Sequence, residues 1–253
     1  MICVKYEPGC LGNFLCQVLQ GNDPAVALDY GTLNDEEILH TGAYNNVNDP
    51  EFKKDISLNK HKIISHNNEE FEDFLYADSK LKFVFISLDS HFIEYRLNYM
   101  HKIHAWHERS NRFDLEAWRG FDHPIAFADA RRIFRLHSDQ EQVKKQKLND
   151  FVFPFANFYS EKNIWVDNFL RMADKLDLNL SEDRLNDWHD CFKIGQKDIL
   201  ARAEHLRVCI QQGKFTNDLN ENEKGIIIGH QAVKESRDDA DFFIEIYSKF
   251  STR

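Results

Sequence analysis

The chain has 253 residues, of which 42% are hydrophobic, and carries a formal net charge of -10 at pH 7. This length and composition allow one well-filled core with room for a helical subdomain. The acidic balance argues against a nucleic-acid or membrane-surface protein, because both partners require clustered Lys and Arg. The five cysteines include no C-x-x-C pair. A disulfide scaffold and a zinc site are therefore disfavoured, and a reducing cytoplasm fits best.

The N-terminal stretch MICVKYEPGCLGNFLCQVL predicts a strand, a tight turn and a helix. Ile2–Tyr6 is typical of a buried strand, Pro8, Gly9 and Gly12 predict a compact loop, and the apolar spacing from Asn13 onward is helical. The first N–H groups of a helix have no partner inside it, and the helix dipole places partial positive charge there. The sequence therefore predicts an oxyanion site where loop and helix meet, and the alternative is a turn without a ligand.

This loop differs from the loop that binds nucleoside triphosphates. That motif has a second glycine five residues after the first, followed by Lys and Ser or Thr. Here Gly12 follows Gly9 by three residues, and Asn13 and Phe14 come next. Because no lysine or hydroxyl stands at the required places, an ATP-dependent kinase is disfavoured.

Two further strands are predicted in the first third of the chain. Residues 21–50 are polar and rich in turn formers, which indicates an irregular connection with one helical turn around Asp35–Leu39. Lys62–Ser65, which leads into His66, predicts a second strand, and Lys82–Ser87 predicts a third that is covered on both faces. In such a parallel sheet ligands bind at the carboxyl ends of the strands, where the first loop and His66 are expected to lie.

The rest of the chain is predicted to be mainly helical. Ser90 is a good N-cap for a helix, and residues 104–148 are helical and charged. Phe151–Phe158 predicts another strand, in which Pro154 indicates a sheet edge or a bulge, and Gly225–Gly229 predicts a short apolar element. Amphipathic spacing predicts four more helices, at Lys162–Leu176, from Ser181 onward, at 195–212 and at 239–250.

Two other features of the sequence are candidate sites, a group of histidines and a cysteine. His101, His104 and His107 are spaced three residues apart, but Glu108 is their only obvious partner, so no metal site is expected. Cys10 lies near a helix N-terminus, which stabilises a thiolate; the alternative is a small buried hydrophobic residue.

Four segments carry a resemblance to a known family: Pro8–Leu15 (PGCLGNFL), Lys62–His66 (KIISH), Phe83–Tyr99 and Phe151–Leu178. They resemble the phosphosulfate loop, the strand before the catalytic histidine, the 3'-phosphate segment and a later strand and helix of the sulfotransferases. The pattern PGxxGNFL is similar to divergent sulfotransferase-like proteins of marine phages and bacteria.

The resemblance implies a P-loop-like three-layer α/β fold with a central, mostly parallel sheet and a helix-rich C-terminal half. It implies one domain over residues 1–253. Within it, residues 1–105 would form a nucleotide-binding-like core, and residues 106–253 would be mostly helical with a strand near 151–156.

The resemblance also implies an activity, the transfer of a sulfuryl group from 3'-phosphoadenosine 5'-phosphosulfate to a small-molecule or glycan acceptor. His66 would take the proton from the acceptor hydroxyl or amine. Ser90 and Arg96 would contact the 3'-phosphate, and no metal would be needed. The loop residues would hold the 5'-phosphosulfate, mainly through backbone N–H groups: Pro8, Gly9, Cys10, Leu11, Gly12, Asn13 and Phe14.

The chain departs from the family pattern at two cationic positions. Gly9 stands where the family loop has a lysine, and Ser87 or Leu88 stands where the third strand usually ends in arginine. Lys5 and Lys62 are other basic candidates near the predicted site. The alternative function is a non-catalytic nucleotide-binding, anion-binding or interaction protein that retains the fold. In that case His66 only closes a strand, Ser90 only caps a helix and Arg96 is a surface residue.

Overall fold

The computed structural model describes residues 1–6, 10–24, 38–41, 46–57, 63–66, 71, 74–75, 77, 80–88, 93–98, 150–237 and 240–251. The chain divides into two compact units, Met1–Leu88 with Gln142–Gly195 and Asp89–Glu141 with Gln196–Arg253. The predicted boundary near residue 105 and the predicted helix over 104–148 fall outside the described residues. The assignment of a single domain stays a prediction.

Five parallel strands form the central sheet in the described part of the first unit, in the order β2-β3-β1-β4-β5. Their bounds are Ile2–Lys5 (β1), Ile38–His40 (β2), Ile63–His66 (β3), Lys82–Ser87 (β4) and Phe151–Pro154 (β5). Every pairing between neighbouring strands is parallel. The predicted α/β fold with a central parallel sheet and a helix-rich C-terminal half is therefore confirmed.

The strand β2 corrects the sequence-based expectation. The helical turn predicted around Asp35–Leu39 is wrong for Ile38 and Leu39, which lie in β2 and pair with Ile63 and Ile64 of β3. Both residues are buried, so pairing and burial decide the conformation here. A strand of three residues is too short to show a period in the sequence.

One face of the sheet is covered by α2, Pro50–Ser57. Cys3 of β1 lies beside Ile64 on one side and Phe83 on the other. These side chains pack in one buried cluster with Phe52 of α2 and with Phe71. Because side chains alternate along a strand, the neighbouring residues face the opposite side of the sheet.

The opposite face is covered by α1 (Gly12–Gln20), a 3-10 helix (Phe155–Tyr159), α3 (Lys162–Leu176) and α4 (Glu182–Gly195). Phe158 is the centre of an aromatic cluster there, with ring centroids 5.8 Å from Phe14, 4.9 Å from Phe153 and 6.1 Å from Phe192. The first unit is therefore a three-layer arrangement of helices, sheet and helices. β5 is an edge strand of the described sheet, as Pro154 indicated. The strand predicted over Phe151–Phe158 is wrong beyond Pro154, which has no N–H to donate to a longer ladder, because Phe155–Tyr159 is a 3-10 helix.

The second unit is helical in its described part. It contains residues 93–98, α5 (Lys197–Gln212), α6 (Glu221–Glu235) and α7 (Ala240–Ser251). The short apolar element predicted at Gly225–Gly229 is wrong, since these residues lie inside α6. Asn220 and Glu223 form a capping box that starts the helix four residues before the first glycine. No helix among the described residues combines the length and apolar character needed to cross a membrane.

A charged network joins α5 to the start of α6. The Arg202 guanidinium donates to both carboxylate oxygens of Glu223 and, at 2.7 Å, to Asp218. Burial raises the pKa of Glu223, but the hydrogen bond and charge of Arg202 and the hydrogen bond from the Asn220 backbone together leave that pKa below its usual range. Hydrogen bonds from Arg202 and Thr216 hold the pKa of Asp218 far below its usual range.

Replacing Arg202 with glutamine is expected to lower the free energy of unfolding of the second unit. It is also expected to make that free energy less dependent on pH in the acidic range. Both carboxylate pKa values are depressed, so their contribution is present above the unfolded pKa values and is lost as the pH falls through the folded ones. Loss of the Arg202–Glu223 pair alone is expected to cost about 1–2 kcal/mol at pH 7. Urea unfolding at pH 7 and at pH 3 checks this, and equal pH dependence in wild type and variant would contradict it.

Candidate functional site

The junction between β1 and α1 lies where the order of the sheet changes direction. After β1 the chain continues to β2, which lies on one side of β1 in the sheet. After β4, which lies on the other side of β1, the chain continues to β5, further from β1. The connections that leave the neighbouring strands β1 and β4 therefore diverge at their carboxyl ends. Such a switch point opens a crevice in which doubly wound α/β folds bind ligands. The predicted site lies at this place.

A turn of unusual backbone conformation leads into α1. Leu11, the residue before the helix, has φ 60° and ψ 26°, in the left-handed region. For a residue other than glycine this conformation costs about 1–2 kcal/mol. The side chain of Leu11 makes no capping hydrogen bond at the N-terminus of α1. The turn thus places the positive end of the helix at the switch point, and Leu11 has no side-chain oxygen that could accept a hydrogen bond from the first N–H groups.

Gly12, the first residue of α1, lies against the aromatic ring of Tyr6. A Cβ atom on Gly12 would be only 2.0 Å from Cδ1 of Tyr6. Tyr6 is 4% exposed, and its hydroxyl donates a hydrogen bond to Oδ1 of Asn13. The absent side chain at Gly12 thus makes room for Tyr6, a role that the sequence did not reveal. A contact of the Gly12 backbone with an anion stays a prediction.

Gly12→Ala is expected to lower the free energy of unfolding of the first unit by about 1–3 kcal/mol, because the new methyl group overlaps a buried ring. Gly225→Ala is the matched control. No atom lies within 4 Å of a Cβ built at Gly225, and alanine inside a helix is favoured over glycine by about 0.5–1 kcal/mol. Denaturant unfolding measures both changes in the free energy of unfolding, the expected decrease for Gly12→Ala and the expected increase for Gly225→Ala. A Gly12→Ala variant as stable as wild type would contradict the Tyr6 contact.

The structure brings part of the predicted loop together. Leu11, Gly12 and Asn13 lie at the helix start, as described above. Cys10 is fully buried, at 0% exposure, which fits a small hydrophobic residue and not a reactive thiol. Phe14 is also buried, with its ring 5.4 Å from that of Trp188. Any contact of Phe14 with a ligand would therefore use its backbone.

Three of the predicted site residues, Pro8, Gly9 and Ser90, lie outside the described residues, as do Lys62 and the histidines at 101, 104 and 107. The backbone of His66 is the last position of β3 and is level with Lys5 of β1. His66 therefore belongs to the carboxyl edge, as expected. Lys5 is only 6% exposed and places a buried amine on the last position of β1.

Arg96 lies in the helical residues 93–98 of the second unit and is 2% exposed. The alternative in which it is an ordinary surface residue is therefore wrong. Two residues earlier, the buried carboxylate of Glu94 accepts a hydrogen bond of 2.5 Å from Arg207 of α5. Contact of Arg96 with a 3'-phosphate stays a prediction.

A groove of about 460 Å³ lies between α3 and α4 in the first unit. Its walls include Lys162, Asp167, Glu182 and Asn186, and it contains none of the predicted site residues. It is lined by charges of both signs, and the junction of β1 and α1 is the better-supported site. Within the described residues, no group of three or more His, Cys, Asp and Glu side chains is placed to hold a metal ion.

Comparison of the chain with protein-family models, with curated proteins and with solved structures finds no match. Its function is therefore inferred from its residues and their geometry.

Proposed function

We propose that the chain binds an adenine nucleotide through its phosphate or phosphosulfate group at the junction of β1 and α1, and transfers a sulfuryl group to a hydroxyl or amine acceptor. The observation that carries this proposal is the left-handed turn at Leu11, which directs the N-terminus of α1 to the switch point. Backbone N–H groups and the helix dipole favour an anion there.

The residues of the junction fit an anionic group on two counts. Leu11 supplies no side-chain cap and the first turn of α1 holds no acidic residue, so no carboxylate within that turn competes with a bound anion. Lys5, buried at the last position of β1, is the basic residue nearest in the sequence to the loop that has glycine in place of the family lysine.

The proposed chemistry is a single displacement. The donor, 3'-phosphoadenosine 5'-phosphosulfate, supplies the sulfuryl group and leaves as adenosine 3',5'-bisphosphate. His66 takes the proton from the acceptor hydroxyl as the new O–S bond forms and the bond between sulfur and the phosphate oxygen breaks. The backbone N–H groups of residues 9–13 hold the phosphosulfate and offset the charge that develops on the leaving oxygen.

The second candidate is a binding protein without transfer activity. One observation favours it, since the ring of Tyr6 fills the space above Gly12 and so accounts for a loop glycine without any ligand. The lack of a lysine after Pro8 points the same way.

Calorimetric and thermal-shift titration with adenosine 3',5'-bisphosphate tests the proposal, with ATP and sulfate as comparison ligands. At 100 times the dissociation constant the ligand should stabilise the protein by about 2.7 kcal/mol. Absence of binding at millimolar concentration would overturn the nucleotide assignment. Binding without any transfer to a panel of acceptors would select the second candidate.

The variant Asn13→Asp tests whether the anion binds at the first turn of α1. The aspartate is isosteric and still accepts the Tyr6 hydroxyl, and a negative charge in the first turn stabilises a helix by about 0.3–1 kcal/mol. The same charge repels an anion at that turn. The variant should therefore be at least as stable as wild type but bind the bisphosphate at least about tenfold more weakly. Unchanged affinity would place the ligand elsewhere.

A further inference from the structure

Residues of α4 contact α1 near both of its ends. At the N-terminal end, the ring of Trp188 lies edge-on to that of Phe14, with centroids 5.4 Å apart at 85°. Just beyond the C-terminal end, the Nε1–H of Trp188 donates to the carbonyl of Asn22 at 3.0 Å. Arg184, one turn earlier on α4, donates to the carbonyl of Gly21. One tryptophan side chain, 1% exposed, thus contacts a residue in the first turn of α1 and a residue just beyond its end.

We propose that Trp188 is the positioning residue of the anion site, holding α1 so that its N-terminus stays at the end of β1. This inference rests on the proposed function, because it concerns the site that the helix start forms. A helix held only at its first turn can pivot, whereas contacts with Phe14 and Asn22 resist both tilt and sliding. An error of about 1 Å in the position of binding groups is enough to weaken recognition.

The two contacts of Trp188 have separable chemistry. Trp188→Phe retains a buried aromatic ring beside Phe14 but removes the donor to the carbonyl of Asn22. The expected result is a more mobile helix in a folded protein. Arg184 adds a second donor to the same helix end, so the loss of one donor should loosen α1 without detaching it.

Trp165→Phe is the matched control. Trp165, on α3, is also completely buried, at 0% exposure, and stacks on Phe169 with centroids 4.0 Å apart. Its Nε1–H has no hydrogen-bond partner among the residues that the structure describes. The same substitution therefore removes an unused donor at a place where the ring lies against Phe169 of α3 and His189 of α4, so the contacts of α1 should be unaffected.

Hydrogen exchange of the unliganded full chain is the first readout, and bisphosphate affinity is the second. In Trp188→Phe the amides of residues 15–20 should exchange about fivefold faster than in wild type, while amides of β4 stay unchanged. The dissociation constant for adenosine 3',5'-bisphosphate should rise about fivefold. Both quantities should stay within about twofold of wild type in Trp165→Phe.

Unchanged exchange in α1 of Trp188→Phe would overturn the inference. So would faster exchange with unchanged affinity, since the looser helix would then be irrelevant to the site. If the wild-type protein bound no bisphosphate, the proposed function would fail. In that event faster exchange confined to α1 would still show that Trp188 positions this helix.

Discussion

His66→Ala is expected to lower the rate of sulfuryl transfer by about 10²–10⁴-fold, the range typical of losing a general base. His66 ends β3 at the carboxyl edge of the sheet, level with the last residue of β1. The variant should bind adenosine 3',5'-bisphosphate as wild type does, because the proposed role of His66 concerns the acceptor proton and not the nucleotide. Turnover with labelled donor and calorimetry on the same samples separate the two effects.

His40→Ala is the matched control for this experiment. His40 also ends a parallel strand, β2, at the same edge, but β3 stands between β2 and β1. Transfer by this variant should be unchanged. A His66→Ala variant that transfers as fast as wild type would remove His66 from the mechanism, and equal losses in both variants would indicate a general effect on the sheet edge.

Phe158→Ala is expected to lower the free energy of unfolding of the first unit by about 3–5 kcal/mol. Phe158 is fully buried and contacts rings from β5, α1, α3 and α4. Alanine would leave a cavity at the place where the sheet and three helices meet. Because those rings are themselves held by the backbones of a strand and three helices, only partial collapse is expected. Urea unfolding followed by tryptophan fluorescence measures the loss.

Phe74→Ala controls for the loss of a phenylalanine as such. Phe74 is 40% exposed, with its ring 5.5 Å from that of Phe52. This substitution should cost less than about 1 kcal/mol, since much of the ring is already in water. Equal effects at Phe158 and Phe74 would contradict the aromatic cluster as the core of this face.

The sequence allowed good prediction of elements whose signal is local and long. KFVFIS and FVFPFANF are rich in β-branched or aromatic residues, and the whole of the first and the first half of the second are strands of the parallel sheet. The helix Lys162–Leu176 was predicted at its observed bounds, because its apolar residues recur at the helical period over four turns.

The elements that were missed depend on partners distant in the chain or on a misleading glycine. β2 is three residues long and exists through its pairing with β3. Gly225 and Gly229 looked like the ends of an element, yet they lie inside α6. The capping residues Asn220 and Glu223 were the available signal for its true start.

The place of the β1–α1 junction in the sheet could be predicted from the sequence, but its contacts could not. The position of the helix start at the sheet edge follows from the order of strand, turn and helix. The Tyr6 contact with Gly12 does not, because it depends on the left-handed conformation of Leu11, which nothing in the side chain of leucine favours. The burial of Arg96 likewise depends on packing that the spacing of one helix does not show.

Chemical-shift mapping is the most direct test of an anion site at the start of α1. The ¹⁵N–¹H correlation spectrum of the full chain would be recorded during titration with adenosine 3',5'-bisphosphate, and again with Asn13→Asp. We expect the largest shifts at the backbone amides of residues 9–14 and smaller shifts at these amides in the variant. Shifts confined to other residues, or none at millimolar ligand, would contradict an anion site at the start of α1.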